Sequence, residues 1–333
     1  MQIAVTGSIA TDHLATFPGR FRDSLVSDRL DSVSLSFLVD ELVIRRGGVA
    51  ANIAFGMARL GLRPVLVGAA GQDFGDYRSW LDGAGVDTAS VHLSTLRHTA
   101  RFLCTTDAEQ NQIASFYAGA MSEAREIELV PVAERVGGLD LVVVSPNDPQ
   151  AMLRHTQECL DRGIPFAADP SQQLARMQGP EIRRLVEGAA YLFTNSYERS
   201  LVAQKTGWSD EEVLDRVDVR VTTLGADGVV IERRGLPEVR VAPAPERRRT
   251  DPTGVGDAFR AGFLAARSWG LDLEGSAEVG CVLAVHVLET LGTQEYELTG
   301  ESFARRTGEA YGEESARRVA EHLGVAPAVH RAV

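Results

Sequence analysis

From Leu139 onward the chain alternates short apolar runs with longer amphipathic stretches, and this rhythm limits the possible folds more than any other feature. Leu139–Val144 reads as a strand and Pro149–Arg162 as a helix; Ile164–Ala168 and Gly179–Glu187 repeat the pair. Tyr191–Thr194, Val219–Thr223 and Gly228–Arg233 are further strands, and long helices close the chain. A helix between successive strands implies a crossover, and crossovers cover a parallel sheet on both faces. The N-terminal part keeps some of this rhythm: Met1–Ser8 and Pro64–Ala70 read as strands, Asn52–Leu60 (closed by Gly61) and Tyr77–Ala84 as helices. Leu35–Ile44 has strand-like alternation. Ala100–Thr106 and Gln112–Tyr117 are β-branched and aromatic runs separated by Asp107–Asn111, a hairpin pattern. The expected fold is α/β, a mostly parallel sheet in a three-layer α/β/α sandwich. Segments at 9–18, 32–45 and 98–120 do not fit that sheet and are expected to form a small β-sheet beside it. The tail from Gly324 reads as loosely held.

The residues that point to chemistry lie near the end. Asp251-Pro252-Thr253-Gly254-Val255-Gly256-Asp257-Ala258-Phe259 leads into the apolar run Ala261–Ala266. The N–H groups of Gly254, Val255 and Gly256 then open a helix, where unpaired amides and the helix dipole favour an anion. Glycine permits the bend and a close approach of backbone to ligand. Asp257 places a carboxylate beside this anion cradle, the position of a general base that takes a proton from a hydroxyl attacking a phosphoryl group. The bland alternative is a capped helix start with a glycine turn.

Asp251–Asp257 resembles the C-terminal signature of the ribokinase (PfkB) family of sugar and nucleoside kinases, and Arg46-Gly47-Gly48-Val49-Ala50-Ala51-Asn52-Ile53-Ala54 resembles its N-terminal signature. The likeness runs from the first strand to about Gly312, and within the family it is strongest to bacterial adenosine kinases. It implies a ribokinase-like fold whose small β-sheet is a lid, ATP and Mg2+ as cofactors, and adenosine as acceptor. It also implies roles for single residues. Asp12, Gly48 and Asn52 would hold the ribose hydroxyls, with Ser8 and Ser36 among the substrate contacts. Phe102 and Phe116, on the two arms of the hairpin, would sandwich the purine. By their chemistry rather than by resemblance, the amides of Gln172 and Gln173, after the strand-end Asp169-Pro170, match an adenine edge, and Arg176 one turn further on would meet phosphate. Asn195-Ser196-Tyr197-Glu198 resembles the family's Asn-x-x-Glu motif, which would place Mg2+ and phosphate through Glu198. Thr223, Gly225 and Gly228 would contact ATP together with Asn195. A monovalent cation such as K+ is suggested near Asp251 and the Glu289–Thr293 loop. The expected site is therefore Asp257 as base, Gly254, Val255 and Gly256 as anion hole, and these residues around them.

Each assignment has a plainer reading. Asn195 and Glu198 also spell a helix capping box. Thr222–Gly228 is also a tight turn, and Asp12 an Asx-turn residue. Phe102 and Phe116 are also ordinary strand core, and Ser171-Gln172-Gln173 an exposed loop. Arg247-Arg248-Arg249 reads as a solvated strand end.

Composition narrows the class. The 333 residues carry a net charge of −12, which argues against nucleic acid or anionic membrane as partner. No apolar stretch approaches the roughly 18 residues of a membrane span, and the N-terminus lacks the basic flank of a signal peptide. Cys104, Cys159 and Cys281 are widely spaced, with no disulfide or metal pattern, which fits a reducing cytoplasm. Lys205 is the only lysine, so a Walker-type loop, which needs Gly-Lys-Ser/Thr, is absent. An exposed lid edge would invite a second copy, and related enzymes dimerise through such lids, so a homodimer is expected. The expected activity is transfer of the ATP γ-phosphoryl group to the adenosine 5′-hydroxyl. The alternatives are a sugar kinase acting on ribose or fructose, and a catalytically idle nucleoside-binding regulator.

Overall fold

The computed structural model describes residues 1–24 and 36–325. The expectations for Leu35, for 32–34 and for the tail beyond 325 lie outside the described residues. In chain order the strands are β1 (Ile3–Thr6), β2 (Ala10–Thr16), β3 (Glu41–Gly47), β4 (Val65–Val67), β5 (Ala69–Ala70), β6 (His92–Leu93), β7 (Ala100–Thr106), β8 (Gln112–Tyr117), β9 (Leu141–Val144), β10 (Phe166–Ala168), β11 (Ala189–Asn195), β12 (Val217–Thr223), β13 (Val229–Glu232) and β14 (Val239–Val241).

Eight of them form one sheet in the order β14-β13-β12-β11-β10-β9-β1-β4. From β4 to β12 every pairing is parallel; β13 and β14 join antiparallel at one edge. Side chains alternate between the two faces of a strand, so a sheet covered on both sides needs apolar residues at every position. Ile3 and Val5 enter one core with Leu66, Leu141 and Val143; Ala4 enters the other with Val65, Val67, Val142 and Val144. Helices Val49–Arg59, Val255–Ser268 and Leu273–Leu288 fill the first core, while Pro149–Arg162, Gly179–Val186 and Ser196–Thr206 fill the second. The α/β/α sandwich follows.

The second sheet has the order β3-β2-β7-β8. β2 pairs antiparallel with β3 and parallel with β7, and β7–β8 is the expected hairpin. Its turn is held by Asp107, whose carboxylate accepts from the backbone N–H groups of Glu109 and Asn111.

Three local expectations shift. The strand expected over Leu35–Ile44 is Glu41–Gly47, because the register pairs Gly47 with Ala10. The helix expected from Asn52 begins at Val49, where the Ser8 hydroxyl accepts from the Val49 N–H. Pro64–Ala70 divides into β4 and β5, and β5 leaves the main sheet to pair with β6. Val239–Val241 is a strand not anticipated from the sequence.

Helix Val255–Ser268 lies against its neighbours almost backbone to backbone. A Cβ on Gly262 would stand 2.8 Å from the Val279 carbonyl oxygen, one on Gly280 2.8 Å from the Phe259 carbonyl oxygen, and one on Gly56 2.7 Å from Ala261 Cβ. Small residues thus fix where this helix begins. We expect Gly280→Ala to lower unfolding stability by about 1–3 kcal/mol through overpacking. Denaturant titration measures it; a loss below about 0.5 kcal/mol, the range of a surface change, would show that the helices can slide apart.

Candidate active site

The loops after β1, β9, β10, β11 and β12 all leave the carboxyl ends of parallel strands, the edge where open α/β sheets bind ligands. Two cavities open there. Ser8, Asp12, Gly48, Asn52, Phe102, Phe116, Gln172, Gln173, Arg176, Gly254 and Asp257 line one of about 590 Å³. Thr223, Gly225, Gly228, Val255 and Gly256 line another of about 540 Å³, whose wall is largely apolar: Ala244, Phe259, Cys281, Val285 and Leu288. The start of helix Val255–Ser268 belongs to both. Gly254 and Asp257 face the first cavity, Val255 and Gly256 the second.

The backbone explains the signature glycines. Gly254 caps the helix at φ 75°, a left-handed conformation, and a Cβ there would lie 2.8 Å from Thr293 Cγ2. Gly48 has φ 95°, and a Cβ would lie 2.6 Å from both the Ala10 nitrogen and the Ser8 carbonyl oxygen. The first turn of the long helix leaves its N–H groups without intrahelical partners, aimed at the junction of the cavities.

In the lid sheet, Asp12, Phe102 and Phe116 are direct cross-strand neighbours, so all three project to the same face and reach the first cavity. Gln173 Nε2 donates to the Asn147 carbonyl, which fixes the amide; its Oε1 has no donor among the described residues. The turn carrying Gln172, Gln173 and Arg176 is clamped by Lys205, whose ammonium donates to the Ala175 and Met177 carbonyls at 3.0 and 2.9 Å and also to that of Leu174. The expected Ser36 reaches neither cavity. It is exposed on the approach to β3, while its neighbour Phe37 packs on Phe17 and Phe21.

Asn195 and Glu198 line neither cavity. They form the capping box: the Asn195 N–H donates to Glu198 Oε2 and the Glu198 N–H to Asn195 Oδ1, both at 2.8 Å. Glu198 is nonetheless buried, with the Ser171 hydroxyl 3.4 Å from its other oxygen. Arg249, in the run read as solvated, lines the second cavity and pairs with Glu246 at 3.1 Å. Asp251 closes the turn before Gly254 by accepting from the Thr253 and Gly292 N–H groups.

The electrostatics centre on Asp257. Burial pushes its pKa up to about 6, against the lowering effects of the Arg260 charge and the Asn52 hydrogen bond; the Glu198 charge pushes it further up. Burial likewise lifts Asp12 to about 6, aided by the charges of Asp251, Glu295 and Asp257. Asp169 rises to about 7, chiefly through burial, with Arg260 opposing. Arg260 lies beneath the loop: its Nη2 is 2.7 Å from Asp169 Oδ1, and a Cβ on Gly256 would meet its Nη1 at 2.7 Å. Both Arg260 and Asp169 escape a reading of the sequence. The available signal is an arginine three residues after Asp257, amid the apolar residues that run up to Ala266. A carboxyl poised near neutrality beside an amide cradle can accept a proton and leave an oxyanion stabilised.

The family model described as pfkB family carbohydrate kinase matches residues 16–299. A nucleoside kinase of Methanothermobacter thermautotrophicus is 32% identical over 267 residues, covering 79% of this chain and 85% of the relative. The solved nucleoside kinase of Burkholderia thailandensis in complex with inosine superposes with a TM-score of 0.81 at 33% identity, over 93% of this chain and 98% of that one. The same relative in complex with ADP-inosine gives a TM-score of 0.79, over 93% and 96%. Among the described residues no helix is long and apolar enough to cross a membrane.

The raised pKa of Asp257 has a sign that can be checked. Its folded value, about 6, lies above the ordinary 3.8, so the native state holds the proton more tightly than the unfolded chain. Its contribution therefore falls as pH rises from about 4 to about 6. We expect Asp257→Asn, neutral throughout, to raise Tm at pH 8 by the equivalent of about 1–3 kcal/mol, with the gain vanishing below about pH 4. An unchanged or lower Tm at pH 8 would overturn this.

Proposed function

The chain belongs to the pfkB family of carbohydrate kinases, and on that premise we propose that it is an ATP-dependent adenosine kinase. The observation that carries this reading is the wall of the first cavity. It joins a cross-strand phenylalanine pair, Phe102 and Phe116, to the turn carrying Gln172 and Gln173, whose amides match an adenine edge. A free sugar has no π-face for the rings to cover. The nucleoside kinase of Burkholderia thailandensis binds inosine, whose base offers a carbonyl where adenine offers an amine.

In this reading adenosine lies in the first cavity with its ribose near Ser8, Asp12, Gly48 and Asn52. ATP lies in the second, its base against the apolar wall and Thr223, Gly225 and Gly228 along the nucleotide. The two reach each other at the helix start both cavities share. Asp257 accepts the 5′-hydroxyl proton as the oxygen attacks the γ-phosphorus; the bond to the bridging oxygen breaks, and ADP leaves. The Gly254–Gly256 amides stabilise the charge that develops. In this reading Arg176, on the wall of the first cavity, meets phosphate. When bound with the triphosphate, Mg2+ neutralises phosphate charge. Few protein ligands are needed for it, and the buried Glu198, with Asn195, would hold its water shell. A monovalent cation beside Asp251 completes the family expectation.

A homodimer through the lid is part of the reading. The face of that sheet turned away from the cavity exposes Leu42, Ile44, Leu103, Ile113 and Tyr117, an apolar patch of the kind that marks protein interfaces. Light scattering should give twice the chain mass, with Ile44→Glu giving the monomer; a monomeric wild type would remove this element.

A substrate panel read by ADP release tests the function. Adenosine should exceed inosine, with ribose and fructose inert. Phe102→Ala and Phe116→Ala should each weaken adenosine binding by roughly 1–3 kcal/mol, and Asp257→Asn should cut turnover by about 10²-fold or more while binding persists. Brisk phosphorylation of a free sugar would make this a sugar kinase. Adenosine binding without ADP release would make it an idle nucleoside-binding regulator.

A further inference from the structure

Asn52 meets Asp257 rather than only open cavity. Its Nδ2 donates to Asp257 Oδ2 at 2.9 Å, and its Oδ1 accepts from Thr293 Oγ1 and Gln294 Nε2, each at 2.9 Å. An amide can turn over and exchange its oxygen for its nitrogen, so what matters is which neighbours have a fixed polarity. Thr293 does not. Its single hydroxyl proton can go instead to the Arg46 carbonyl, 3.0 Å away, and in that state the hydroxyl can accept from a turned Asn52. Gln294 does. The Trp80 indole N–H, which can only donate, lies 3.2 Å from Gln294 Oε1. On the other side, Gln294 Nε2 donates at 2.6 Å to the Tyr77 hydroxyl, which itself donates to the Gly47 carbonyl at 2.8 Å. Gln294 is 1% exposed, so water offers no alternative partner.

We propose that Gln294 is a positioning residue that acts through Asn52 to present an N–H, not a carbonyl, to the Asp257 carboxylate. The polarity runs one way from the Trp80 N–H to Gln294, from Gln294 to Asn52, and from Asn52 to Asp257. With Asn52 turned over, two acceptors would stand about 3 Å apart, and only a protonated Asp257 would relieve them. A protonated Asp257 cannot act as a base. The steps from Asn52 onward rest on the kinase reading for their catalytic meaning, but the orientation of the carboxylate does not depend on it.

The test is Gln294→Leu, which removes the committed donor at similar bulk. The Asp257 carboxyl carbon, labelled with ¹³C and assigned by its loss in Asp257→Asn, is titrated by NMR in the full-length protein. The charged groups near it, Arg260, Glu198, Asp169 and Asp12, are unchanged by the substitution. The midpoint should move upward by roughly one pH unit, a tenfold change in the ionised fraction. The acidic limb of kcat/KM with adenosine and ATP should move with it. An unmoved midpoint overturns the proposal, even where Tm falls. If Gln294→Leu does not fold, Trp80→Phe, at a half-exposed site, removes the indole donor instead and should move the midpoint in the same direction by less; no movement there overturns it equally. A moved midpoint in a protein that transfers no phosphoryl group upholds the positioning and rejects the kinase reading.

Discussion

The centre of this molecule depends on keeping a half-buried carboxylate ionisable. Asp257 sits at the wall of the first cavity, and burial pushes its pKa up to about 6. Two contacts offset that: the Arg260 guanidinium beneath the loop and the Asn52 amide beside it. Neither can act unless helix Val255–Ser268 starts in one place. That start is set by Gly254 in its left-handed turn and by the glycine and alanine contacts that seat the helix on its neighbours. Electrostatics in the site is thus a consequence of close packing some distance from it.

Much of the architecture is legible in the chain because it rests on local periodicity. The strand and helix rhythm after Leu139 yields the parallel sheet, and the runs around Asp107–Asn111 yield the hairpin that sets Phe102 opposite Phe116. What is not legible rests on contacts distant in sequence. Asn52 reads as a ligand to sugar hydroxyls, yet its carbonyl is bound by Gln294, 242 residues away. Arg260 and Asp169 meet from different elements across the sheet edge. Ser36 lies outside both cavities although its segment was expected to contribute, because Phe37 ties the loop to Phe17 and Phe21. Glu198 shows how one residue can satisfy two readings: its capping box is fully formed, and its charge still acts on Asp257.

Charge is distributed with similar economy. The net charge of −12 coexists with arginine pairs at three of the five buried acidic residues among the described ones, Asp148, Asp169 and Glu278, and with two buried arginines, Arg220 and Arg306, that pair with Glu232 and Glu289. Arginine retains its charge when buried and holds a carboxylate through a planar fork, which a lysine cannot do. The sole lysine serves a site where three carbonyls converge on one compact ammonium, under the turn that carries Gln172 and Gln173.

The single helix start shared by the two cavities also has a stereochemical consequence for the proposed chemistry. In the proposed reaction, acceptor and donor meet at one turn, with Asp257 acting as base rather than as carrier of the phosphoryl group. The reaction proposed here would then be one displacement, with entering and departing oxygens in line. A phosphorus atom made chiral with sulfur and oxygen isotopes would emerge with its configuration inverted, whereas passage through a phosphorylated enzyme, two displacements, would return it unchanged.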